Sequence, residues 1–136
     1  MLTELSVLWG DEDGFNHVNN VAYLRWCESA RVDYLRRIDL FPDLPPSGVG
    51  PILANQACNY RRPLSYPDTV IIGTRVTSIR NSSFGMEHCI VSRTTGVIAA
   101  ESTAVVVTID YATGSPVRVP DSVRQAIARL EGRSFD

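Results

Sequence analysis

Lysine is missing from this chain: all 13 basic residues among its 136 are arginine. Schiff-base chemistry and lysine general bases are therefore excluded, while phosphate oxygens still find a match in the planar guanidinium fork. Cysteine is scarce. Cys27, Cys58 and Cys89 are scattered, odd in number and free of metal-ligand spacing, which suits small buried thiols in a reducing compartment rather than a disulfide framework or a zinc site. No apolar run approaches the roughly 20 residues that cross a bilayer, and Met1-Leu-Thr-Glu-Leu opens with an acid instead of a basic region and an apolar stretch. No membrane partner is expected, and the expected compartment is the cytoplasm. Positive charge is not in excess either: the formal net charge is -2, which argues against a nucleic-acid surface.

What is present fits one globular domain spanning residues 1–136, with 44% hydrophobic residues and no repeats, charge runs or low-complexity tracts. Residues 3–9 alternate as a strand through Leu5, Val7 and Trp9. Over about 21–38, Tyr23, Cys27, Ala30, Tyr34 and Ile38 recur at helical spacing, predicting one long amphipathic helix. Asn19 or Asn20 can cap its start, Arg36 and Arg37 suit its negative end, and the prolines after Phe41 are expected to stop it. Four segments rich in Val, Ile and Thr follow at about 52–60, 69–80, 84–93 and 97–110, with Thr94-Thr-Gly96 marking a hairpin. A short helix over 121–130 presents Val123, Ile127 and Leu130 on one face. One long helix among five strands, four of them consecutive and hairpin-linked, reads as α+β: an antiparallel sheet of about five strands curled around the helix. Strands this long leave edges that seek another chain.

The densest chemistry lies in residues 9–31, WGDEDGFNHVNNVAYLRWCESAR. A carboxylate cluster, a histidine and two asparagines precede a helix start, whose unpartnered N–H groups carry partial positive charge. Asp13 is thus offered as base or nucleophile beside amides that can face a carbonyl oxygen. An Asp before Gly is also an ordinary turn former. Asp11 and Glu12 read as loop or solvent carboxylates, although Asp11 can raise the pKa of Asp13 by like charge. His17 either touches substrate or water, or hydrogen-bonds the loop backbone to fix its shape. Asn19 and Asn20 serve as caps whose own and following amides face the substrate. Glu28 sits at helical spacing from Arg31 and is expected to pair with it; His88, mid-strand without an obvious partner, reads as packing.

GDEDGFNHVNN followed by a Tyr-Leu helix with Glu-Ser-Ala-Arg resembles the hot dog acyl-CoA thioesterases of the 4-hydroxybenzoyl-CoA thioesterase-like family. NYRRPLSYPDTV, IRNSSF and TIDYATGSPVRVP extend the resemblance over about the whole length. It implies a single hot dog domain, Asp13 as the catalytic carboxylate, and a homodimer or homotetramer with joined sheets and active sites between subunits. It also implies coenzyme A as part of the substrate and no separate cofactor. Arg80 falls where the family places basic residues that meet coenzyme A phosphates; Arg61 and Arg62 are further substrate-binding candidates or solvated sheet-edge charges. One departure stands out: family members commonly carry Gly where this chain has Asn16. A second hot dog thioesterase branch uses a helical acid, for which Glu28 is the candidate.

The reaction so implied is thioester hydrolysis to free acid and coenzyme A, with Asp13 attacking or deprotonating water and the helix start after Asn20 polarising the carbonyl. A thiol of ordinary pKa leaves without a strong acid. The alternatives are a hot dog hydratase, whose element places Asn-Pro between Asp and His where this loop has no proline, and a non-catalytic acyl-CoA binding protein, against which the intact Asp13 argues.

Overall fold

The computed structural model describes residues 1–41 and 48–135. In chain order the elements are β1 (Leu2–Ser6), α1 (Asn20–Arg37), β2 (Val49–Tyr60), β3 (Thr69–Ile79), β4 (Ser83–Ser92), β5 (Ile98–Asp110) and α2 (Asp121–Glu131). The five strands pair antiparallel in the order β1-β3-β4-β5-β2, with α1 lying along one face: the hot dog arrangement, α+β as the pattern predicts.

Period-two burial shapes the sheet. Val70, Ile72 and Val76 of β3, Phe84, Met86 and Ile90 of β4, and Ala100, Ala104 and Val106 of β5 all turn one way and are buried. Tyr23, Cys27, Ala30, Tyr34 and Ile38 meet them from α1, each large apolar side chain contributing about 1.5–3 kcal/mol by leaving water. The core falls into two halves. One groups Tyr23, Trp26 and Cys27 with Ile72 and Ile90; the other groups Tyr34 and Ile38 with Val76, Phe84, Met86 and the α2 residues Val123 and Ile127. Between them runs a cross-strand row of buried polar residues, Thr74, His88 and Ser102. Glu131 Oε2 ties α2 down, accepting from Tyr34 OH at 2.5 Å and from the Val76 amide at 3.1 Å.

Four details differ from the sequence reading. β1 ends at Ser6, and Trp9 enters a 3-10 turn with 78% of its surface exposed. β2 begins at Val49 and is not hairpin-linked to β3: it pairs with β5 at the far edge, because alternation marks a strand without stating its neighbour. Helix α1 ends before the prolines. Asp39 adopts φ 57°, its N–H returning to Arg36 O and that of Leu40 to Leu35 O at 3.0 Å, a Schellman closure sealed by buried Leu35 and Leu40. Pro42, Pro45 and Pro46 lie outside the described residues. The hairpin at Gly96 forms as expected, with φ 71° and its N–H donating to Ser92 O at 2.8 Å.

Candidate active site

The segment between β1 and α1 folds back on itself. Asn19 N–H donates to Asp11 O at 2.8 Å, Glu12 bridges Val18, and Asp13 N–H donates to His17 O at 2.8 Å. This ladder sets Asp13 two residues from the rung that opens α1. Asn16 turns the tip at φ 59°. That conformation favours glycine and next asparagine, which accounts for the departure at this position. The segment is anchored from outside: Val18 N–H donates to Leu64 O at 2.7 Å, Ser65 Oγ to Asn16 O at 3.0 Å, and the Tyr66 amide to Glu12 Oε1 at 3.0 Å.

Asp13 is exposed, and its Oδ1 accepts from the Phe15 amide at 2.8 Å. The turn-forming role and a chemical role coexist, since Oδ2 makes no hydrogen bond among the described residues. Asp11 and Glu12 are not solvent carboxylates. Glu12 holds the Tyr66 amide, and buried Asp11 accepts from the Leu8 amide at 2.8 Å and from Arg25 Nη2 at 2.5 Å. Nothing local in the sequence marks Arg25 for this contact beyond its place six residues after Asn19, less than two turns into α1. The exposed His17 ring makes no hydrogen bond among the described residues, the expected backbone contact being made instead by its own carbonyl.

At the helix start Asn19 is the cap, its Oδ1 accepting from the Val21 amide at 2.9 Å, while Ala22 N–H reaches Asn19 O at 3.0 Å. Two of the amides expected to face a substrate are thereby occupied. Asn20 N–H keeps no acceptor among the described residues and is the first-turn donor left for a ligand. Beside it opens a cleft of about 310 Å³ lined by Val18, Asn20, Tyr23, Tyr60, Arg61 and Arg62. Tyr60, another residue that the sequence reading passed over, donates to Asn20 O at 3.2 Å and meets Tyr23 edge to face at 5.1 Å. Burial pushes the Tyr23 phenol above its usual range. The backbone N–H groups of Arg61 and Arg62 both reach Ala99 O, leaving their exposed side chains at the mouth, where Arg61 also meets Glu101 at 3.5 Å. Exposed Leu8, Trp9, Phe15 and Val21 form an apolar rim around the loop.

Arg80 is not part of this grouping. It follows the far end of β3 from the Leu64–Tyr66 anchor, on the order of 30 Å away along a strand rising ~3.3 Å per residue. Glu28 is exposed on α1 and forms no ion pair with Arg31 among the described residues, since Arg31 lies on the buried stripe of the helix and donates to Gln56 Oε1 at 3.2 Å. His88 does have a partner, Thr74 Oγ1 at 3.0 Å from Nδ1. Among the described residues no group of three or more His, Cys, Asp or Glu is placed to hold a metal ion, and no helix is long and apolar enough to cross a membrane.

Residues 7–127 match the family described as the Thioesterase-like superfamily. The long-chain acyl-CoA thioesterase FadM of Escherichia coli (strain K12) is 26% identical over 130 residues, 96% of this chain and 98% of that protein. The crystal structure of the PA5185 protein from Pseudomonas aeruginosa strain PAO1 is similar with a TM-score of 0.85 at 29% identity, covering 98% of this chain and 92% of that one. That of a thioesterase complexed with coenzyme A and Zn from Thermus thermophilus is similar with a TM-score of 0.83 at 31% identity, covering 97% of this chain and 95% of that one.

Proposed function

The chain belongs to the thioesterase-like superfamily, and from that premise we propose that it hydrolyses acyl-CoA thioesters to free acid and coenzyme A. The observation that carries this reading is that one clamped loop holds both Asp13, with one oxygen fixed by the Phe15 amide, and the Asn20 N–H, and that among the described residues neither the other Asp13 oxygen nor that N–H has a partner. In the proposed mechanism the thioester carbonyl oxygen sits on Asn20 N–H and the positive end of α1, which stabilise the charge that develops there. Either Asp13 attacks the carbonyl carbon, the thiolate leaves and water then hydrolyses the acyl-Asp13 anhydride to free acid, or Asp13 takes a proton from a water that attacks the carbonyl directly; in both, the thiolate leaves without a dedicated acid. His17 holds or contacts the reacting group from the same loop. The acyl group follows the cleft past Tyr23 and Tyr60, and Asn19 shapes its entrance through the cap. No cofactor is needed, coenzyme A arriving as part of the substrate.

The working unit in this reading is a homodimer or a homotetramer. β2 is a twelve-residue edge strand with exposed Val49, Ile52, Leu53 and Tyr60, a ready template for a second copy. Joining two sheets there brings the apolar rim of one subunit under the other and offers Arg61, Arg62 and a neighbour's Arg80 to the phosphates. Free Cys27, Cys58 and Cys89 suit the reducing cytoplasm.

The test is thiol release over a panel of acyl-CoA esters of aromatic, short and long acyl groups. Turnover on at least one, abolished by loss of the Asp13 carboxylate, is the expected result. An enoyl-CoA absorbance change without thiol release, or binding without turnover on every ester, refutes the hydrolase reading.

A further inference from the structure

The polar row that divides the core gathers buried polar atoms that the described residues do not satisfy. Thr74 faces His88 across β3 and β4, His88 faces Ser102 across β4 and β5, and Ser102 faces Cys58 across β5 and β2. From α1, Cys27 and Arg31, four residues apart and so on one helix face, come down on this row. Burial raises the Cys27 thiol to about 11, with Ser102 and the Arg31 charge beside it pulling the other way. Arg31 is 5% exposed, His88 2% and Ser102 3%. Arg31 Nη1 and His88 Nε2 nonetheless lack a hydrogen-bond partner among the described residues, and Ser102 Oγ has only the weakly accepting Cys27 thiol beside it, an uncommon state for neighbouring buried polar atoms.

All three present a donor. Thr74 Oγ1 and His88 Nδ1 share one hydrogen bond at 3.0 Å, and in the tautomer in which the hydroxyl donates, the ring proton sits on Nε2. Arg31 Nη1 is donor only, and the Ser102 hydroxyl faces no stronger acceptor than the Cys27 thiol among the described residues. The guanidinium forms no ion pair among the described residues: its hydrogen-bond partner there is the neutral Gln56 amide, and exposed Glu28 acts on it only at longer range. Three donors and a positive charge ask for an anionic acceptor. Their place on the fold says where it comes from. Cys27 and Arg31 stand seven and eleven residues past Asn20 on α1, about 10–16 Å at 1.5 Å per residue. On the edge strand β2, half-buried Cys58 and Gln56 lie two and four residues from Tyr60, which lines the Asn20 cleft.

We propose that this row binds a carboxylate at the far end of the acyl chain, making medium-length acyl thioesters with a terminal carboxylate the preferred substrates. The inference rests on the thioesterase reading and narrows its substrate class. A carboxylate offers acceptor sites for the Arg31, His88 and Ser102 donors together and neutralises the buried guanidinium. A methyl end of the same length leaves them unpaired, and a site built around such donors discriminates against an analogue that lacks the acceptor.

The experiment compares kcat/KM on two CoA thioesters of equal chain length, one ending in methyl and one in carboxylate. It also follows thermal unfolding in the presence of the free medium-chain dicarboxylate. Wild type should favour the carboxylate ester by about tenfold or more. Arg31→Met should bring the ratio near one, and the dicarboxylate should raise Tm in wild type only. Ser102→Ala, a smaller change, should lower the ratio by about threefold and keeps the test open if Arg31→Met does not fold. Equal rates on the two esters, or an equal loss on both in Arg31→Met, overturn the proposal. If neither ester turns over while the dicarboxylate still raises Tm in wild type and not in Arg31→Met, the carboxylate site stands and the thioesterase reading falls.

Discussion

Arg25 on α1 and Asp11 in the preceding loop are joined at 2.5 Å, and the Asp11 carboxylate is buried while the Arg25 side chain stays 56% exposed. With its other oxygen on the Leu8 amide, Asp11 ties the end of β1, the loop and the first turns of the helix into one body. Asp13 and Asn20 are held relative to each other through that body.

Breaking the tie from its two ends should give unequal results. Arg25→Ala removes a cation that water partly screens, at a cost of about 1 kcal/mol. Asp11→Ala strands the Leu8 amide and the guanidinium together, at about 2–3 kcal/mol. Urea unfolding monitored by tryptophan fluorescence measures both, and equal or negligible losses would remove Asp11 from this role. Turnover should drop in both variants, because the loop that positions Asp13 loosens.

Asp13→Asn keeps an acceptor for the Phe15 amide, so the turn should survive while the base or nucleophile is lost. kcat is expected to fall by at least about a hundredfold with unchanged circular dichroism. His17→Ala should cost less, its ring making no hydrogen bond among the described residues. Near wild-type turnover in Asp13→Asn would falsify the assignment, and equal losses in the two variants would give His17 a direct part in the chemistry.

His88 links the core to pH. Burial, helped by the Arg31 charge, lowers its pKa to about 4 from an ordinary 6.5, so the ring is neutral in the fold but protonates readily once unfolded. Stability is therefore complete above pH 6.5 and is lost as the pH falls from there towards 4, by about 3 kcal/mol for a difference of this size. Denaturation series at pH 7, 6, 5 and 4.5 should show this slope in wild type and a shallower one in His88→Gln. Identical slopes would mean that carboxylates elsewhere carry the acid sensitivity.

Legibility in the sequence followed the range of the interaction. The face of α1 through Tyr23, Cys27, Ala30, Tyr34 and Ile38 is a local periodicity reproduced in the fold, and the segment rich in strand-forming residues at about 84–93 becomes β4. The cap at Asn19 is local too. Asp11 reads locally as a loop or solvent carboxylate because the guanidinium that meets it is fourteen residues on. Glu28 and Arg31 have pairing spacing in the sequence, but the i, i+4 phase of Arg31 with Cys27 puts it on the buried stripe. Thr74, His88 and Ser102 each fall on the inward phase of a separate strand, and only the cross-strand register shows that they form one row. The place of β2 at the sheet edge follows from pairing with β5, which no pattern within β2 encodes.

Arg80 is the remaining site candidate, and its distance from Asp13 along β3 turns it into a test of assembly. If sheets join at β2 and a neighbour's Arg80 reaches the nucleotide phosphates, Arg80→Ala should raise KM for acyl-CoA severalfold and leave kcat nearly unchanged. A remote contact of this kind contributes equally to ground and transition states. A short thioester without the nucleotide should be hydrolysed equally well by variant and wild type. A charged substitution in the middle of the edge, Ala57→Arg, should meanwhile weaken association, and activity should then fall with dilution in parallel with sedimentation. Full activity from a monomer at assay concentration would place all reacting groups within one chain and leave Arg80 a surface charge whose backbone carbonyl holds Arg124 at 2.6 Å.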